Sequence, residues 1–100
     1  MTKRKIDDNL YYEIISESLY YTASCDVNGY IACDALILYN LLNESNNINL
    51  FINKINLENV EMILLALDET LINYKDNHDK NDEINKTKEY ICLTFSLSFH

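Results

Sequence analysis

The sequence predicts a single α+β domain in the order helix, strand, helix, helix, strand, strand, with a long charged loop between the last two strands. Apolar residues recur every three or four positions through most of residues 8 to 69, which is helical spacing. Beyond Thr70 the spacing changes to alternation, which is strand spacing. At 100 residues the chain is long enough for one core and too short for two. Residues 1–7 are expected as an N-terminal arm and 8–100 as the domain.

The first helix is expected over residues 8–23, where Leu10, Ile14, Ile15, Leu19 and Ala23 form a stripe flanked by Tyr11, Tyr12, Tyr20 and Tyr21, with Asp7 or Asp8 as its cap. Cys25, Asp26, Val27, Asn28 and Gly29 break that period with turn residues, and Tyr30 to Ala32 leaves room for a short strand. Asp34 then caps a second helix to about Leu42, with Leu36, Ile37, Leu41 and Tyr39 on its apolar face. Residues 48–55 read as a helical turn or packed loop. Asn56 caps a third helix from Leu57 to about Glu69, in which Val60, Ile63, Leu64 and Leu67 face the core and Glu58, Glu61 and Asp68 face water. Thr70 to Lys75 reads as a strand, 76–88 as a charged loop and Lys88 to Phe99 as the last strand. There Ile91, Leu93, Phe95, Leu97 and Phe99 alternate with Tyr90, Cys92, Thr94, Ser96 and Ser98.

Composition narrows the function classes. Hydrophobic residues make up 48% and charged residues 24%, which argues for a packed core against disorder. No apolar run approaches a membrane span and the first residues lack the apolar stretch of a secretion signal, so a cytoplasmic location is expected. With no Pro and only Gly29, the 14 Asn are the residues expected at left-handed turn positions. Abundant Asn and Ile, no Gln and a single Arg suggest an AT-rich genome, as in many viruses and mobile elements. Cys25, Cys33 and Cys92 form no C-x-x-C pair and are expected as buried, reduced thiols. His78 and His100 add no closely spaced ligand pair, so neither metal nor cofactor is expected. G-x-S-x-G, a glycine-rich phosphate loop and H-E-x-x-H are all absent, which predicts a non-enzyme.

The order of elements over residues 8–99 resembles a winged helix, with residues 34–69 as its helix-turn-helix and the charged loop as its wing. The step Asp26-Val27-Asn28-Gly29-Tyr30-Ile31 before a helix is also similar to one in the La motif and in the amino-terminal lobe of RNA 2′-phosphotransferases. The same residues resemble the middle of an EF-hand calcium loop spanning Ser24 to Ala35. A second such loop is hinted at by Asn77, Asp79, Asn81 and Ile84. Ala35 and Lys88 stand where the bidentate glutamates would be, so this resemblance implies a degenerate pair without useful calcium affinity.

Winged helices most often bind nucleic acid, and charge opposes that here. Residues 26–70 carry seven acidic residues against Lys54, within a chain of net charge −8, so duplex DNA is not an expected partner. Any nucleic-acid contact would fall to the arm and to Lys80, Lys86 and Lys88. The function expected is a small acidic protein-interaction or regulatory module. Its contact residues would be Glu58, Glu61, Asp68, Tyr90, Phe95, Leu97 and Phe99, and its partner another protein or a second copy paired through the C-terminal strand. The alternatives are a transcriptional regulator using arm and wing, an acidic DNA mimic, and a degenerate EF-hand binder resembling a light chain.

Overall fold

Asparagine sets the boundaries of most helices. The computed structural model describes residues 2–25 and 28–96, with side chains from residue 9 onward. It contains α1 (Thr2–Cys25), α2 (Gly29–Ser45), α3 (Ile48–Ile52), α4 (Leu57–Asn73) and α5 (His78–Thr94). Asn28, Asn47, Asn56 and Asn77 are the N-caps of α2 to α5, each accepting backbone N–H bonds from the first turn with its side-chain oxygen. Asn56 and Asn59 do so reciprocally. Asn46 closes α2 in the left-handed conformation, φ 58°, and donates its N–H to the Leu42 carbonyl. The expectation that Asn takes over glycine's left-handed role is met there. Gly29, the one glycine, has no positive φ, and a Cβ added to it would meet nothing within 4 Å.

The centre of the bundle is α1, which contacts each of the other four helices. Ile14, Ile15, Ser18, Leu19 and Thr22 are buried, with Tyr11 and Tyr12 packed against the core beside them. From residue 9 onward, Asn9, Glu13, Tyr20, Ser24 and Cys25 are its exposed positions. Against α1 lie Ala35, Leu38 and Leu42 of α2, Ile48 and Phe51 of α3, and Val60, Ile63, Ala66 and Leu67 of α4; α5 adds Ile84 and Ile91 to the same core. The radius of gyration is 12.7 Å, against about 13 Å for a compact domain of 100 residues, so the five helices share one core.

The α+β winged-helix expectation is therefore wrong: the described residues contain no strand. Tyr30 to Ala32 is the first turn of α2, begun by Asn28 and not by Asp34, with the Ala32 N–H bonded to the Asn28 carbonyl. Of the supposed strand Thr70 to Lys75, residues 70–73 continue α4 and Tyr74 is its C-cap, because the buried stripe runs past Leu67 to Thr70, whose hydroxyl donates to the Ala66 carbonyl. The supposed wing, 76–88, is mostly α5. Asp79, Asp82, Lys86, Glu89 and Leu93 are exposed at three- and four-residue spacing, while Ile84, Thr87 and Ile91 are buried opposite. Buried Thr87 hid that stripe from a count of apolar residues; its hydroxyl donates to the Glu83 carbonyl, which a helix permits.

The alternation after Tyr90 misled for the same reason. Ile91, Cys92 and Phe95 fall on the core side of a helix and Leu93 points outward, 70% exposed. Homodimerisation through a C-terminal strand loses its basis, since the backbone to Thr94 is bonded within α5. Leu97 and Phe99 lie outside the described residues. Residues 29–35 and 78–88, parts of the two supposed calcium loops, are helical, and the Asn28 side-chain oxygen accepts from the Tyr30 and Ile31 N–H groups. Helix α1 runs through Asp7 and Asp8, the expected caps. Of the cysteines, Cys92 is buried as expected, whereas Cys25 and Cys33 are exposed.

Helix α3 has five residues and no independent stability, so it depends on Ile48 and Phe51 seated in the core. Phe51→Ala should cost about 3–5 kcal/mol in urea denaturation followed by circular dichroism. The neighbouring Leu50→Ala removes a half-exposed side chain and should stay within about 0.5 kcal/mol of the parent.

Candidate functional site: the groove between α2 and α4

Helices α2 and α4 both pack on α1 and also touch each other. Their outer flanks enclose a groove of about 360 Å³. From α2 it is lined by Asp34, Ile37 and Leu38, and from α4 mainly by Glu58, Glu61, Met62 and Leu65. Leu38 is buried as part of the core, Met62 and Leu65 are half-buried, and Ile37 stands 60% exposed at the edge. Asp34, Glu58 and Glu61 are exposed around this apolar interior. No Lys, Arg or His lines it, and among the described residues none of the three acids has an ion-pair partner.

The remaining acids of α4 are engaged elsewhere. Asp68 is bridged by the Lys88 ammonium at 2.6 Å, and Glu69 accepts the Thr22 hydroxyl at 3.0 Å. Of the seven residues expected at a protein contact, Glu58 and Glu61 thus share one feature, while Asp68 has a structural partner. Tyr90 stacks on Tyr11 with ring centroids 4.1 Å apart, and Phe95 is half-buried against the core. Among the residues expected to meet nucleic acid, Lys80 and Lys88 hold ion pairs and Lys86 is exposed. They form no free basic patch.

Apart from Glu58 and Glu61, the groove residues escaped the sequence. Asp34 was assigned as a cap and Ile37 as core because the second helix was started at Asp34. Beginning it at Asn28 sets Ala35, Leu38, Leu42 and Ser45 as the inward stripe and turns Ile37 outward. Met62 sits beside the predicted stripe of α4 and only the proximity of α2 brings it into the groove.

A contrasting polar cluster joins α1, α4 and α5. The Tyr74 hydroxyl donates to Glu17 Oε2 at 2.7 Å and Lys80 Nζ lies 2.7 Å from Glu17 Oε1, with Lys80 5.3 Å from the Tyr74 ring centre. Partial burial works to raise the Glu17 pKa, but the bonds from Lys80 and Tyr74 outweigh it and hold the carboxyl below its ordinary value. The bond to Glu17 raises the pKa of Lys80 and likewise that of the Tyr74 hydroxyl. Each charge here is matched, so the cluster fastens three helices and offers little to a ligand. A neighbouring cavity of about 240 Å³, lined by Tyr20, Tyr21, Cys25 and Tyr74 among others, contains no charged residue except Glu17.

Among the described residues no helix is long and apolar enough to cross a membrane, and no three His, Cys, Asp or Glu side chains converge as a metal site. Neither a family model, a curated protein nor a solved structure matches the chain.

The cluster gives a pH signature. Glu17 contributes stability above its unfolded pKa, and the contribution is lost as pH falls through its depressed folded value. Lys80 contributes below its unfolded pKa, until pH rises through its elevated folded value. Because the pair is partly exposed, Glu17→Gln should cost only about 1 kcal/mol at neutral pH. The difference from the parent should shrink in urea titrations below the ordinary glutamate range, about pH 4.3.

Proposed function

We propose that the protein is a non-enzymatic protein-binding module of the cytoplasm whose contact face is the acidic groove between α2 and α4. The composition of that groove carries the proposal: an apolar strip, exposed Ile37 with half-buried Met62 and Leu65, is bordered by Asp34, Glu58 and Glu61, three acids without a cation among the described residues. Apolar centres with a polar rim are the usual anatomy of a protein contact. Nucleic acid is a poorer fit, because two of the three candidate lysines, Lys80 and Lys88, are bound to Glu17 and Asp68. A reducing compartment suits the exposed thiols of Cys25 and Cys33.

The double variant Asp34→Lys/Glu61→Lys tests this, since both positions are exposed and neither lies in the first turn of its helix. In capture from the source cell, the parent should retain a specific protein that this variant loses and that Glu89→Lys, on the exposed face of α5, keeps. Equal retention by all three would refute the groove as the contact face. In an electrophoretic shift assay with generic duplex DNA at about 150 mM salt, the parent should produce no shift at low micromolar protein. A shift lost on Lys86→Ala would instead support nucleic-acid contact through α5.

A further inference from the structure

We propose that the occupant of this groove is a short, basic, amphipathic helix of another protein, an inference that rests on the groove being the contact face. Backbone chemistry selects the helix. Both walls are helices whose N–H and C=O groups are bonded internally along most of their length, so the groove offers no edge to which an extended peptide could add. A helix satisfies its own backbone and can therefore lie against these walls without an edge to pair with. Size agrees with this. Glu58 to Leu65 is eight residues of α4, a rise of about 10 Å or two turns. A cavity of about 360 Å³ accepts side chains and not a whole segment. The partner would therefore rest on the rim and insert apolar anchors, spaced three or four residues apart, against Ile37, Met62 and Leu65.

Charge selects the flanking residues and excludes a second copy. Side chains beside the anchors would meet Asp34, Glu58 and Glu61, which favours Lys or Arg there. A second copy would bring its own net charge of −8. Its one basic run, Lys3-Arg4-Lys5, is separated by Ile6 alone from Asp7 and Asp8, which cancel most of it. A basic partner meets neither obstacle.

The test is titration of the isotope-labelled full chain, followed by backbone amide NMR, with synthetic peptides of about 14 residues. One peptide places Leu at helical spacing among Lys, a second replaces Lys by Glu, and a third keeps Lys but replaces Leu by Ser. The Leu–Lys peptide should shift amides chiefly in 34–38 and 58–65. Asp34→Lys/Glu61→Lys should weaken it about tenfold, as the loss of two ion pairs implies, and Ile37→Ser should weaken it at unchanged charge. The inference is overturned by absent binding, by equal binding of the Leu–Glu or Ser–Lys peptide, or by shifts spread equally over Asp79, Asp82 and Glu89. If the peptide fails while Asp34→Lys/Glu61→Lys still loses its cellular partner, the contact face stands and its occupant is something other than a basic helix. If capture is indifferent as well, both readings fall.

Discussion

Everything in this fold leans on one helix that has neighbours on most of its circumference. Because α1 touches each of the other four helices, it cannot be amphipathic in the ordinary sense. Fully apolar residues over that much surface would make an insoluble segment before folding, and the sequence avoids this by burying Ser18 and Thr22 among the isoleucines and leucines. Thr22 finds Glu69 at 3.0 Å. Among the described residues the Ser18 hydroxyl has no hydrogen-bond partner, and a buried hydroxyl left so costs about 1–3 kcal/mol. At its half-buried margin, Glu17 gathers Tyr74 and Lys80 and so fixes where α4 ends and α5 begins relative to α1.

The groove follows from that arrangement. Two helices laid on a common third are drawn down towards it, and their upper flanks meet only where side chains are long enough to bridge the gap. At the α2/α4 seam those flanks carry Ile37 and Met62 with acids around them, which leaves apolar surface uncovered. The other long helices meet differently: α1 and α5 join through the stacked Tyr11 and Tyr90, and α4 and α5 through Asp68 and Lys88. Those seams are closed by complementary side chains, whereas at the α2/α4 seam Asp34, Glu58 and Glu61 meet no cation among the described residues.

What could be read from the sequence was the local pattern where polarity and position agree. The core of α4 was legible because Asn56 caps it and Val60, Ile63 and Leu67 are all apolar. The core of α1 was legible in Ile14, Ile15 and Leu19. The last third failed because α5 buries Thr87 and exposes Leu93, so the apolar residues alone trace an alternation that the backbone does not follow. In that helix the period resides in the polar residues, from Asp79 to Glu89. The site was half legible: acids on α4 can be seen one residue at a time, but a groove needs the partner helix, and placing the cap of α2 at Asp34 instead of Asn28 rotated Ile37 into the core.

The conformation of Gly29 has a consequence for how little backbone freedom this chain uses. With φ outside the positive range and open space where a Cβ would stand, the residue is an ordinary first position of a helix that happens to lack a side chain. The left-handed positions among the described residues belong to Asn46 and Ser96. Glycine here therefore adds disorder to the unfolded chain without relieving any strain in the folded one, and alanine in its place would shift the balance toward the native state by about 0.4–1 kcal/mol. At the starts of α2 to α5 neither glycine nor proline takes the capping position; an asparagine side-chain oxygen bonded to the backbone of the turn it opens is sufficient.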